Sequence, residues 1–326
     1  MIDRVIAFRR ALLRWWGERR VQVLHVRSIH EGYPLARRKG EVCERLVLEV
    51  NGLPSIELKY HYPRVAEDPE LLRKLERQEQ VCLEAADLVL TPSAVTAAHL
   101  IARGAPPAKV RVIPNGVDPT RFTYASPRAL AGVDGGSPLQ ALYVGTLTAW
   151  QGVHRALDAL ALYRRDLPAE LTLVGPARKR QRRELEERAQ RLGIADAVRL
   201  LPPAGPEGLV ALHHQADVAL APLLACDRNL VQGCCPLKVI EAMATGTPVV
   251  ASDLPDVRAL AEPDVEALLV RPGSAKAIKD AWLRLRGEPG LGLRLSQAAR
   301  ARVEREHTWE RAGDALLAVY GEMLGS

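Results

Sequence analysis

Short apolar runs alternate along the chain with longer stretches in which apolar residues recur every third or fourth position, the marks of buried strands and amphipathic helices. Residues 1–20, MIDRVIAFRRALLRWWGERR, open as such a helix, with Ile2, Val5, Ile6, Phe8, Leu12, Leu13, Trp15 and Trp16 interleaved with arginines. Strands are predicted at 21–26 and 45–50, a long charged helix at 69–84, and a short strand at 87–90. A helix capped by Ser93 follows over 93–103, then a strand at 109–113.

The run Pro114-Asn115-Gly116-Val117-Asp118 breaks the pattern, and 124–138 is rich in Gly, Pro and Ser, so a domain boundary is placed there. Strands are then predicted at 139–144, 170–174, 198–201, 218–221, 248–252 and 267–270. Helices are expected between them at 153–163, 179–192, 206–214 and 236–244, and after them at 275–286, 293–305 and 308–324. Alternation of this kind predicts an α/β fold with parallel sheets covered by helices on both faces. The second half reads as a complete doubly wound domain. The first half offers about four strands and lacks an opening strand followed by a glycine-rich turn. The expected domains are 1–123, 124–305, and a C-terminal helix over 306–326.

Composition adds little until charge is considered. The chain has 326 residues, 48% hydrophobic and 26% charged, with a formal charge of +6. A positive excess favours anionic partners: nucleotide phosphates, nucleic acid or an acidic membrane surface. Cys43, Cys82, Cys226, Cys234 and Cys235 show no CxxC pair and no metal-ligand spacing, which points to reduced thiols, a cytoplasmic setting and no metal. No apolar run is long enough to span a bilayer, and arginines interrupt every candidate signal core. The basic N-terminal helix with its two tryptophans is read either as packed on a sheet or as lying on anionic lipid.

Chemistry concentrates in NLVQGCCPLKVIEAMATGTPVVAS (229–252). Gly233, Cys234 and Cys235 form a tight turn, and Pro236 suits a first helical position. The amides of Leu237 and Lys238 at the helix start make an anion site, to which the Lys238 ammonium adds charge. Glu241 lies one turn further and suits a ribose diol. The bland alternative is an i,i+3 surface ion pair between Lys238 and Glu241. A second turn, VGTLTAWQG (144–152), joins a strand to a helix, where Gly145 and Gly152 let backbone approach a phosphate. It is neither GxGxxG nor a P-loop, so dehydrogenase and NTPase readings lack support.

Five segments resemble glycosyltransferase family 4, the retaining GT-B enzymes, in order and spacing: VRVIPNGVDPTRF (110–122), ALYVGTLTAWQGV (141–153), LTLVGPA (171–177), VRLLPPAGPEGLVALHHQADVALAPL (198–223) and PLKVIEAMATGTPVVASDLP (236–255). The resemblance implies a GT-B fold of two Rossmann-like domains, the first one shortened, with a nucleoside diphosphate sugar as donor bound to the second. It implies that Glu241 holds the ribose hydroxyls, that the turn before its helix cradles phosphates and sugar, and that the last helix crosses back to the first domain. Gly145, Thr146, Gly152, Arg228, Cys235, Pro236, Leu237, Lys238 and Glu241 are the expected donor-binding residues.

The chain departs from the family pattern in several places. Gly233 stands where a paired carboxylate is usual, and Thr146 and Gln151 stand where a basic pair neutralises the diphosphate. Arg228 and Lys238 are expected to supply the missing charge. LHVRS (24–28) matches a histidine-bearing segment: His25 fits the first position and Arg27 replaces the second, so His25 is read as structural. EVNGLPSIELKYHYP (49–63) resembles an acceptor-side loop, or is an ordinary surface loop.

Three functions are weighed. The first is sugar transfer to an unknown acceptor, with a peripheral membrane contact compatible with the basic N-terminus. The second is a non-catalytic nucleotide-sugar binder, or one subunit of a split enzyme whose partner chain supplies the missing N-terminal piece. The third is nucleic-acid binding through the basic run 178–183, but Glu184, Glu186 and Glu187 follow directly, as on a solvated helix face, and nucleic acid is not expected as a partner.

Overall fold

The computed structural model describes residues 2–130 and 137–325, without the side chain of Ile2. Residues 131–136 of the expected boundary stretch lie outside the described residues. The chain divides into two compact units: Met1–Pro114 with Leu230–Cys235 and Asp314–Ser326, and Asn115–Asn229 with Pro236–Gly313.

In the first unit the order is α1 (Ile2–Trp16), β1 (Val21–Val26), α2 (Ile29–Ala36), α3 (Lys39–Val42), β2 (Cys43–Glu49), α4 (Pro54–His61), α5 (Pro69–Ala85), β3 (Leu88–Thr91), α6 (Ala94–Ala102) and β4 (Val110–Val112). The four strands are parallel and lie side by side in chain order. Side chains alternate across this sheet, so apolar runs bury both faces. Leu46, Leu48 and Val89 enter one core with Leu83 and Leu100, while Val47, Leu88 and Leu90 line the other face.

Helix starts follow side-chain chemistry. Asp68 accepts from the amides of Glu70 and Leu71 ahead of Pro69, and Ser93 accepts from the amide of Thr96, capping α6 as expected. Glu79, 1% exposed, ties three helices together: it accepts from the amide and hydroxyl of Ser55 at 2.8 Å and from Arg103 at 2.5 Å.

The second unit runs β5 (Leu139–Val144), α7 (Val153–Tyr163), β6 (Ala169–Val174), α8 (Lys179–Arg191), β7 (Val198–Leu201), α9 (Pro206–Gln215) and β8 (Val218–Ala221). It continues with α10 (Asp227–Leu230), α11 (Leu237–Thr245), β9 (Val249–Ser252), α12 (Pro255–Leu260), β10 (Leu268–Val270), α13 (Ala275–Gly287), α14 (Leu291–Glu306) and α15 (Trp309–Leu324). The six strands are parallel in the order β10-β9-β8-β5-β6-β7, which is the doubly wound arrangement with its switch point between β5 and β8. The 115–122 segment is fastened to this unit: Val117 bridges Thr308, and Arg300 on α14 donates to the carbonyls of Pro119, Phe122 and Ala244.

From Asp314 onward the chain belongs to the first unit. Leu316, Val319, Tyr320 and Met323, spaced as one helical face, pack on Val47, Leu88 and Leu90.

Several expectations need correction. Residues 54–61, within the stretch read as a loop, form α4, started by Pro54. Helices α2, α3, α10 and α12 were not anticipated; each is at most eight residues long, too short for a 3.6-residue period to show. Pro236 is the cap of α11 and not its first turn, because its extended backbone precedes the first helical residue.

Candidate functional site

The switch point of the second sheet places the loops after β5 and β8 beside one another, and in open parallel sheets this carboxyl edge receives ligands. Gly152 shows how close the two loops come. It adopts the left-handed φ of 74°, and a Cβ there would lie 1.7 Å from the carbonyl oxygen of Pro222. The amide of Leu224 donates to the carbonyl of Trp150 at 3.1 Å, and Asn229 donates to the carbonyl of Leu224 at 2.8 Å. The two loops form one hydrogen-bonded shelf.

Lys238, in the first turn of α11, reaches onto that shelf. Its ammonium donates to Gln151 Oε1 at 2.5 Å and to the Tyr143 hydroxyl at 3.0 Å, and stands 4.1 Å from the Tyr143 ring centroid. Tyr143 in turn donates to the carbonyl of Thr146 at 2.7 Å, and burial pushes its phenol above the usual range. A Cβ on Gly145, at φ 140°, would come 2.8 Å from the Lys238 nitrogen. That φ favours glycine, and a Cβ would push the mobile end of the Lys238 side chain from its place. The family's basic pair is replaced at 146 and 151 by Thr and Gln, and the structure puts the Lys238 ammonium on the side chain of that same Gln151.

Leu237 is 39% exposed at the start of α11, where the helix dipole is positive. Glu241 lies one turn on; burial pushes its carboxyl up and the Lys238 charge opposes this. The Arg228 guanidinium sits 4.9 Å over the Trp150 ring, which places a second cation on the shelf. Thus Gly145, Thr146, Gly152, Arg228, Lys238 and, by its helix, Glu241 belong to one neighbourhood of the second unit. Cys235 ends the segment Leu230–Cys235, which belongs to the first unit. There Gln232, fully buried, accepts from the amide of Leu53 at 2.9 Å and donates to Glu57 at 3.0 Å. Tyr143 escaped the sequence reading, since it looks like another apolar strand residue; its place two residues before Gly145 was the available signal.

The carboxyl edge of the first sheet carries a separate cluster. Glu49, at the end of β2, meets His25 Nε2 at 3.1 Å, Arg27 at 3.1 Å and Asn51 at 2.5 Å. Chiefly through the His25 hydrogen bond, its carboxyl is held at about 2.

Comparison with known proteins agrees with this architecture. Residues 2–121 match the pattern described as Glycosyltransferase Family 4, and residues 138–287 that described as Glycosyl transferases group 1. The D-inositol 3-phosphate glycosyltransferase of Actinosynnema mirum is 31% identical over 97% of this chain and 76% of its own length. That of Salinispora arenicola is 32% identical over 93% and 70%, and that of Saccharomonospora viridis 33% over 79% and 60%. The chain therefore spans 60–76% of the length of these relatives. Among solved structures, sucrose-phosphate synthase from Thermosynechococcus elongatus superposes with a TM-score of 0.78 at 23% identity, covering 98% of this chain and 77% of that one. Anabaena HepE gives 0.73 at 17%, covering 92% and 78%. The fold is GT-B, and the chain belongs to glycosyltransferase family 4, the group 1 glycosyltransferases.

Proposed function

We propose that this protein transfers a hexosyl group from a nucleoside diphosphate sugar to an acceptor hydroxyl, with the donor held on the second unit. The observation that carries the reading is the Lys238 ammonium, fixed by Gln151 and Tyr143 over Gly145 at the sheet's switch point. Lys238, Arg228 and the α11 dipole meet the diphosphate, so that protein cations take the part of a metal ion, and Glu241 accepts from the ribose hydroxyls. As the bond from the anomeric carbon to the phosphate oxygen breaks, its electron pair goes to the diphosphate, and these fixed positive groups stabilise the developing charge. The acceptor oxygen enters from the same face, with retention, and its proton passes to the departing diphosphate oxygen. Anabaena HepE, which shares the fold, is known in complex with UDP and glucose, which supports a UDP-sugar donor. The described helices include none long and apolar enough to cross a membrane, and a cytoplasmic, peripheral station fits this reading.

Titration of the purified chain with UDP, GDP and their hexose derivatives tests the donor site. Saturable binding that falls at least about tenfold in Glu241→Ala is expected, the loss of roughly one charge-assisted hydrogen bond. Absence of binding to any of them would overturn the reading.

A second reading, a nucleotide-sugar binder completed by a partner chain, is favoured by β1, which among the described residues pairs with β2 alone. Sugar transfer by the isolated chain would exclude it.

A further inference from the structure

Helix α1 is held to the first unit by one face. Leu12, Leu13 and Trp16 pack into the core. Arg9 donates to the carbonyls of Ile29 and His30 and to Gln78 at 2.7–3.0 Å. These contacts fix the roll of the helix, and at 100° per residue Arg4, Phe8, Ala11 and Trp15 then fall on one different stripe. Phe8 is 48% and Trp15 66% exposed, in a chain with two phenylalanines and five tryptophans. Such rings are ordinarily the first residues a protein buries.

Charge accompanies them. Arg4, Arg10 and Arg14 are all exposed on α1, and residues 1–20 carry six arginines against Asp3 and Glu18 in a chain of net +6. Beside the same helix opens a groove of about 780 Å³, its walls Val5, Ile6, Leu58, Leu71 and Leu75, with Arg4 and the carboxylates Glu57, Asp68 and Glu70 also lining it. Arg4 thus belongs both to the groove and to the aromatic stripe one turn ahead of Phe8.

We propose that α1 is a docking surface for an anionic lipid bilayer: Phe8 and Trp15 enter the boundary between headgroups and acyl chains, and Arg4 and Arg14, at the margin of that stripe, face lipid phosphates. Charge complementarity selects this occupant. A second copy of the chain would set arginines against arginines, and a nucleic acid duplex would leave the Phe8 and Trp15 rings without an apolar partner. A bilayer matches exposed aromatic rings and phosphate-seeking cations on a single helix. The surface stands whether or not the second unit binds a donor sugar, so its test is independent of that reading.

The full chain is sedimented with phosphatidylcholine vesicles, with and without phosphatidylglycerol. Binding to the anionic vesicles alone is expected, weakening as salt is raised. The double variants Phe8→Ser, Trp15→Ser and Arg4→Gln, Arg14→Gln each lower affinity at least about tenfold. These residues are exposed, and unchanged melting temperatures confirm intact folding. Equal binding to neutral vesicles, no binding by the wild-type chain, or wild-type affinity in the variants would each overturn the proposal.

Discussion

The Nδ1 of His25 stands 2.6 Å from the hydroxyl of Tyr320, a residue 295 positions further along the chain. The other ring nitrogen meets the Glu49 carboxylate at 3.1 Å. With an ionised acceptor at Nε2, that nitrogen carries the proton and Nδ1 accepts from the tyrosine. Both nitrogens are engaged, so the imidazole joins α15 to the carboxyl edge of the first sheet. Tyr320→Phe is expected to destabilise the first unit by about 1 kcal/mol, the net worth of one hydrogen bond, as read from denaturant midpoints.

Glu49 gives the same cluster a pH signature. Its carboxyl lies at about 2 in the folded chain against 4.5 unperturbed. Its contribution is therefore complete above 4.5 and is lost as pH falls toward 2. Glu49→Gln should weaken the fold at neutral pH and flatten the acid limb of the stability curve; an unchanged acid limb would contradict the assignment.

His213 acts in a higher window. It is 1% exposed, and burial, helped by the His214 charge, holds its pKa at about 4 against 6.5. Below 6.5 the unfolded chain takes up a proton that the folded chain does not, so stability falls as pH drops toward 4. The loss is on the order of 3 kcal/mol from this side chain. His213→Leu should remove most of it, measured as the change in urea midpoint between about pH 7 and about pH 4.

On the proposed reading, Lys238→Met lowers donor affinity about tenfold to a hundredfold, because it removes a charge-assisted contact to the diphosphate. The exchange Gln151→Lys with Lys238→Gln moves the cation across its hydrogen bond to the loop, where the family usually carries it. Calorimetry should find most of the affinity restored in that double variant. If the exchange binds as poorly as Lys238→Met, the position of the charge and not its presence decides.

Gly152→Ala should cost about 3 kcal/mol or more, since the Cβ would meet a backbone carbonyl that has no rotamer to change. The expected readout is a fall in the melting temperature of the second unit larger than that of Thr146→Ala or Thr148→Ala.

What the sequence shows and what it hides follow from range. Apart from the partly exposed edge strand β7, the strands of the second sheet are apolar runs largely buried on both faces, and the bounds at 139–144, 198–201 and 218–221 agree with the pattern. α7 buries Val153, Ala156, Leu157, Leu160 and Tyr163, a stripe that periodicity finds. α2 carries Pro34 inside it, which reads locally as a breaker. Gln232 is an ordinary polar residue until the fold brings it to Leu53 N, 179 positions away. In the candidate site, the α11 motif and the glycines were legible because backbone geometry restricts them to few residue types. The path of Lys238 to Gln151, 87 positions apart, needed the strand order.

The clash that Gly152 avoids has an evolutionary reading. The loop after β5 is pinned at both ends, by the Lys238 nitrogen against Gly145 and by the Pro222 carbonyl against Gly152. Between those pins Leu147 is buried in the core, while Thr146 and Ala149 are exposed. Selection can exchange those two side chains while the scaffold keeps its shape, so on the proposed reading donor preference can diverge here without a new fold having to be found.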